Sequence, residues 1–247
     1  MSKSIIIFGF HAIQAQIDST PECLIKVFTL DNRNDKRLNT LTTQLDCLGI
    51  NTQKSSKQQL DKLTKSQTHQ GIVAEILLPT LPNLDGLIHH IEKLDNNSLI
   101  LILDSIQDPR NLGACLRSAN AAGVDCVVIN KDGSAPINAL VHKTSAGALN
   151  QLKIFSVTNL SRTIKALKEQ NIWVVGLDGA TDQSLYQIDL TTPTAIIMGA
   201  EGSGLRSLTK KSCDQLAMIP MQGNVESLNV SVATGIALFE ASRQRHL

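Results

Sequence analysis

The sequence predicts an α/β protein in two parts, a small α/β unit followed by a larger domain built on a parallel sheet. Three observations carry this. From about residue 98 onward, short Val/Ile/Leu runs alternate with helical segments, and the runs are continuous, as strands covered on both faces require. Residues 1 to about 77 mix shorter apolar runs with polar helical stretches. Between the two blocks stands "LPTLPNLDG", where Pro79 and Pro82 fix φ and remove donors, the mark of an extended boundary. The expected organisation is a first domain over 1–77, a linker over 78–97 and a second domain over 98–247.

Each element follows from local pattern. In the first block "IKVFTL" and "GIVAEILL" read as strands, while "HAIQAQID" and "DKRLNTLTTQLDCLG" have helical spacing, the second ending at a glycine suited to a helix C-terminus. In the second block "SLILILD", "DCVVIN", "LKIFSV", "IWVVGLD", "TAIIMGA" and "QLAMIPM" read as strands. Helices are expected over 111–122, 160–170, roughly 203–211 and 229–244. The first of these buries Leu112, Cys115, Leu116, Ala119 and Ala122, with Asp108 and Pro109 as its cap and first turn. In the last, Val232, Ile236 and Phe239 are expected to form the buried stripe.

Bulk properties narrow the function. A chain of 247 residues can bury a sizeable core, and a net charge of +1 leaves any nucleic-acid partner to a local basic surface. The five cysteines, Cys23, Cys47, Cys115, Cys126 and Cys213, include no C-x-x-C pair; three sit in apolar runs, which reads as free thiols in a reducing compartment. The "IIIFGF" near the N-terminus is too short for a signal h-region, and no stretch reaches the length of a membrane span. A cytoplasmic protein without a membrane anchor is expected. No His/Cys/Asp cluster has metal-ligand spacing, so no metal is expected.

In parallel sheets ligands bind at the carboxyl ends of the strands. Four stretches fall there: "DSIQDPRNLG", "GLDGATDQ", "GAEGSGL" and "QGNVESLNVSVATG". Taken singly each has an ordinary explanation. Asp108–Pro109 is helix punctuation, Arg117 a solvated arginine, Glu201 a turn residue in solvent, and Ser227 or Asn229 a helix cap. "GAEGSGL" is neither a P-loop nor the dinucleotide fingerprint, which disfavours a nucleotide-dependent oxidoreductase.

Taken together, and in this order, N-x-G-x-x-x-R, M-G-x-E-G-x-G and S-L-N-V-S-V-A resemble the three motifs of the SpoU (TrmH) family of RNA 2′-O-ribose methyltransferases. "GFHAIQAQI" and "THQGIVAE" resemble the RNA substrate-binding domain attached to many members. The arrangement is most similar to members that methylate a guanosine of large-subunit ribosomal RNA. The resemblance implies a SPOUT-type catalytic domain with a C-terminal trefoil knot, preceded by a small α/β RNA-binding domain. It implies S-adenosylmethionine as cofactor, held at Gly199, Ile219 and Leu228, and a homodimer with active sites near its interface. It makes Arg117 the residue that activates the ribose hydroxyl, with Asn111, Glu201, Ser227 and Asn229 orienting it and the ribose. A guanidinium is a poor formal base. Arg117 can instead grip the neighbouring phosphate and lower the hydroxyl's pKa, and the sequence leaves both roles open.

Lys54, Lys57, Lys62 and Lys65, opposed only by Asp61, are the expected phosphate-contact surface of the first domain, or simply a solvated face. With aromatics at 3% of residues, shape and backbone recognition fits the ribosomal RNA partner better than base stacking. Two rival readings stand beside this one: a tRNA 2′-O-methyltransferase of the same family, and a non-catalytic RNA-binding assembly factor that kept the fold.

Overall fold

The apolar runs of the first block become a mixed four-stranded sheet. Along the chain come β1 (Ser4–Phe8), α1 (Phe10–Ser19), β2 (Leu24–Leu30), α2 (Lys36–Cys47), β3 (Thr52–Ser55), α3 (Lys57–Leu63) and β4 (Ile72–Leu77). The strand order is β1-β4-β2-β3, with β4 antiparallel to both neighbours and β3 parallel to β2. The computed structural model describes residues 4–33, 35–77, 80–94, 97–202 and 204–246. The starts of α2 and α3 are set by side-chain caps. Asp35 accepts from the Leu38 amide, and Ser56 with Gln59 forms a capping box at α3. The expected glycine stop is Gly49, one residue past the Leu48 cap at φ +69°. Ile7, Ile13, Val27, Leu41, Leu45 and Ile76 are the centre of this unit's core.

The second sheet is six-stranded and wholly parallel. Along this part of the chain come α4 (Leu84–Ile91), β5 (Leu99–Leu103), α5 (Pro109–Ala121), β6 (Cys126–Asn130), α6 (Ala139–Thr144), α7 (Ala148–Gln151), β7 (Lys153–Val157), α8 (Leu160–Glu169), β8 (Trp173–Leu177), β9 (Thr194–Met198), α9 (Ser207–Ser212), β10 (Gln215–Ala217) and α10 (Val230–Arg245). The strand order is β10-β8-β9-β5-β6-β7. β5, β6 and β9 are buried at every position, as continuous aliphatic strands in a covered sheet must be. The chain runs outward through β5, β6 and β7, then returns to build β8, β9 and β10 on the other side. The direction of winding therefore reverses beside β5 and β9, where the loops after the strands diverge and leave a crevice.

Two segments fall elsewhere than the sequence pattern suggested. The stretch read as a linker carries α4, capped by Asn83, whose Leu87 and Ile91 are buried in the second unit's core; Pro79 lies outside the described residues. Residues Ile137–Gln151 group with Met1–Thr80, although they stand between β6 and β7 in sequence. Lys143 lies over the Phe8 ring at 5.5 Å, and Asn150 donates to Gln16 at 3.2 Å. Two short helices with apolar faces carry no label saying which sheet they will cover.

His142 of α6 is buried, its Nε2 has no partner among the described residues, and desolvation pushes its pKa from 6.5 down to about 4. The unfolded chain therefore binds one more proton than the folded chain between these values. Stability is unaffected above pH 6.5 and falls as pH drops from 6.5 to 4, by about 3 kcal/mol in total. Urea unfolding of wild type and His142→Leu at pH 7 and pH 4.5 checks this. The variant is expected to lose less stability on acidification; equal losses exclude His142 as the cause.

The last helix departs most from expectation. Its buried residues are Val230, Thr234, Ala237, Leu238, Glu240 and Ala241, whereas Val232 and Phe239 are each 51% exposed and Ile236 is half-buried. The expected stripe faces outward. The inward face is mostly small, which lets α10 lie close on α5, with Cys115 Sγ 3.3 Å from Thr234 Oγ1. Near its end Arg245 donates to the carbonyls of Leu190, Asn97, Ser98 and Thr192 at 2.6–3.2 Å, tying the helix to the amino edge of β5 and β9.

Candidate active site

The site is built from loops that follow neighbouring strands. Asp108, at the N-cap of α5, accepts from the Arg110 amide at 2.8 Å, and Pro109 opens the first turn. This abrupt start places Asn111 in the first turn. Its Nδ2 donates to Glu201 Oε2 at 2.7 Å, from the loop after β9. Asn229, the N-cap of α10, donates to Asn111 Oδ1 at 3.1 Å and to Glu201 Oε1 at 3.2 Å. The Asn229 oxygen in turn accepts from Ser231 N and Oγ. Asn111 and two residues 90 and 118 positions further along the chain close one ring of hydrogen bonds. Both donors to the Glu201 carboxylate are neutral amides.

Beside this ring is a cleft of about 570 Å³, within the usual range for small-molecule sites. Gly199, Ile219 and Leu228, the three expected cofactor positions, all line it, as do Glu201 and Ser227. Met198 and Leu177 add apolar wall, and Glu226 a second carboxylate. Gly199 sits where Ala200 and Gly204 exchange backbone hydrogen bonds at 2.9 and 3.1 Å, and a Cβ there would run into the Gly204 carbonyl.

Not every expected residue joins the ring. Ser227 is exposed on the cleft without a bond to the ring. Arg117 is exposed, does not line the cleft, and makes no hydrogen bond or ion pair among the described residues. Gly113, one turn before it, is buried.

Other polar residues at this edge were not singled out by sequence. Asp178, after β8, lines the cleft and pairs with Lys210. Asp104, fully buried after β5, accepts from Arg206 Nε and Thr209 Oγ1, each at 2.7 Å. With its amide turned to face it, Asn130 accepts from Arg206 Nη2 at 2.7 Å. This links the far side of the 199–206 loop to the ends of β5 and β6. The available signal was an acid directly after an all-aliphatic strand, a position where a buried charge demands a partner. Burial pushes the thiols of Cys115 up to about 11 and of Cys126 up to about 12, so neither is a nucleophile near neutral pH. No group of three His, Cys, Asp or Glu suited to a metal occurs among the described residues.

Residues 98–239 match the model of the SpoU rRNA Methylase family, and residues 6–81 match that of the RNA 2′-O ribose methyltransferase substrate-binding domain. The chain belongs to the SpoU rRNA methylase family. Among its relatives, the 23S rRNA (guanosine-2′-O-)-methyltransferase RlmB of Pectobacterium atrosepticum is 48% identical over 97% of this chain and 98% of its own. The protein of the same name from Escherichia coli K12 is 48% identical over the same shares. The SpoU methyltransferase AviRb of Streptomyces viridochromogenes, solved with AdoMet, shares the fold at TM-score 0.83 and 23% identity, covering 98% of this chain and 91% of its own. The TrmH/SpoU tRNA modifying enzyme of A. aeolicus is 30% identical with TM-score 0.57, covering 66% of this chain and 82% of its own. SpoU membership accounts for the order of the three motifs, and the hydrogen-bonded ring is where they meet.

Proposed function

We propose that this chain transfers a methyl group from S-adenosylmethionine to the ribose 2′-hydroxyl of a guanosine in 23S ribosomal RNA. The observation that carries it is the Asn111–Glu201–Asn229 ring on the rim of the glycine-lined cleft. Relatives named for 23S rRNA match along nearly the whole chain, whereas the tRNA enzyme covers 66% of it, which favours ribosomal RNA over tRNA. The intact polar ring argues against a non-catalytic RNA-binding factor. The N-terminal residues matching the substrate-binding model serve as the RNA reader, and the 98–247 part as the catalytic domain with its trefoil knot.

The cleft fits the cofactor. Leu177, Met198, Ile219 and Leu228 suit an adenine ring, backbone around Gly199 and Gly204 offers donors and acceptors at close range, and Glu201 and Glu226 suit a ligand that carries cationic groups. When bound, S-adenosylmethionine supplies a methyl group already electrophilic on its sulfonium. The residues' work is then positioning. Arg117, permanently cationic, would grip the phosphate next to the target ribose and lower the hydroxyl's pKa. Asn111, Glu201, Ser227 and Asn229 hold the ribose in line. The test is incubation with radiolabelled S-adenosylmethionine, in excess chelator, and 23S rRNA or tRNA lacking the modification, followed by mapping of labelled nucleotides. Label on a 23S rRNA ribose is expected; label confined to tRNA, or none, overturns the proposal.

The outward face of α10 supports the homodimer. Two large apolar side chains half exposed on one helix, Val232 and Phe239, suit an association surface better than a core stripe. Phe239→Glu is expected to convert a dimer to monomer in sedimentation velocity and to depress methylation with it. A dimer that persists places the interface elsewhere. A cytoplasmic site of action accords with a ribosomal RNA substrate, and no described helix is long and apolar enough to cross a membrane.

A further inference from the structure

We infer that the cleft between α1 and α2 of the first unit is a docking site for a phosphodiester segment of the RNA substrate, an inference that rests on the methyltransferase reading above. The cleft measures about 580 Å³ and is lined by Phe10, His11 and Gln14 from α1 and by Lys36, Arg37 and Thr40 from α2, with no carboxylate in its wall.

Its construction is directed at an anion. Lys36 and Arg37 occupy the first turn of α2, where no acidic residue is present. A helix N-terminus carries partial positive charge; the acid that complements it, Asp35 at the cap, is already engaged by Arg33 and the Leu38 amide, so the two cations just past it have no carboxylate of their own. Both are exposed, and neither has a carboxylate within ion-pair distance among the described residues. A bound phosphate supplies that missing counter-charge.

Arg37 is also held against an aromatic ring. Its guanidinium carbon lies 4.6 Å from the Phe10 ring centroid, and its Nη2 lies 3.3 Å from His11 Nε2. Arginine has only donors, so His11 accepts through Nε2 and its Nδ1–H is left as a further donor. Arg33 lies over the same ring at 4.8 Å but is committed elsewhere, to Asp35 and to the Gln70 carbonyl. Asp35 is at once that arginine's partner and the cap of α2. Arg33 therefore fixes the start of the helix, while Arg37 remains a preset planar fork for a phosphate. Phe10 is buried, so it serves as a floor for the guanidinium and not as a base-stacking platform.

The lysines expected to meet the RNA are built otherwise. Lys54 lies on β3, Lys57 and Lys62 on α3, and Lys65 just beyond it, all exposed and none held by an aromatic ring. Asp61 among them is engaged with His69 at 3.1 Å. They are the natural comparison.

The experiment measures equilibrium binding of unmodified 23S rRNA transcript to the full chain from low to physiological salt. Wild type is set against Lys36→Gln/Arg37→Gln, Arg37→Lys and Lys57→Gln/Lys62→Gln. Loss of two phosphate contacts is expected to lower the slope of log K against log salt by about 1.5 and to weaken binding about tenfold or more at moderate salt. KM for RNA rises, while S-adenosylmethionine affinity by calorimetry, which also reports a folded catalytic unit, stays at the wild-type value. Arg37→Lys keeps the slope but binds more weakly, because charge survives and the fork does not. An unchanged slope in the double variant overturns the inference, as does a loss confined to Lys57→Gln/Lys62→Gln or an acidic peptide that displaces the RNA no less well than a phosphodiester. Failure of wild type to methylate 23S rRNA is a separate result and overturns the function on which this rests.

Discussion

Arg117→Ala is expected to lower the single-turnover rate of methyl transfer by roughly 10²–10⁴-fold, the range for a positioned acid–base or activating group. The structure makes this a clean experiment. Arg117 is exposed and bonded to nothing among the described residues, so truncating it removes no buried contact and is expected to shift stability by no more than about 0.5 kcal/mol. Cofactor affinity is also expected to hold, because Arg117 does not line the cleft. Any large loss is then chemistry. Arg117→Lys is expected to recover little, since an ammonium cannot span a phosphate and a hydroxyl as a planar fork does. Measured at saturating RNA and cofactor, a near-wild-type rate for Arg117→Ala returns this residue to an ordinary surface arginine.

The contrast between Arg117 and Asn111 shows what a sequence can carry. On α5 the apolar spacing chose one face, and Leu112, Cys115, Leu116, Ala119 and Ala122 are all buried as expected. Asp108 and Pro109 fixed the helix start for reasons local to four residues. On α10 the same reasoning chose the wrong face. That helix has apolar residues all round, so periodicity alone cannot rank Val232 and Phe239 against Ala237 and Leu238. Close approach to α5 selected the smaller set and left the larger side chains outside. Residues 137–151 and α4 escaped for a related reason: short apolar segments commit to a sheet only through contacts distant in sequence. Within the site, the ring of Asn111, Glu201 and Asn229 was named from motifs, but its closure needed the sheet order to bring three loops together. The Asp104–Arg206 pair was legible only as a charge that had to find a partner.

Gly199→Ala tests the other half of the site. Gly199 follows β9 where Ala200 and Gly204 pair through both backbone bonds, and a Cβ would meet the carbonyl carbon and oxygen of Gly204 and the amide of Leu205. These are backbone atoms of a closed turn, so no rotamer change relieves the clash. Gly204, at φ +64°, is in a region that suits glycine, so the turn has little freedom to move aside. The loop must open, displacing Glu201 from Asn111 and Asn229 and reshaping one wall of the cleft. Overpacking of this kind commonly costs about 1–3 kcal/mol, and a contact with fixed backbone belongs at the upper end or beyond. S-adenosylmethionine affinity is accordingly expected to fall about 100-fold or more in calorimetry, while urea unfolding still reports a folded protein. The two variants thus separate: Arg117→Ala keeps the cofactor and loses the reaction, whereas Gly199→Ala loses the cofactor first. Wild-type cofactor affinity in Gly199→Ala would move the binding site out of the glycine-lined cleft.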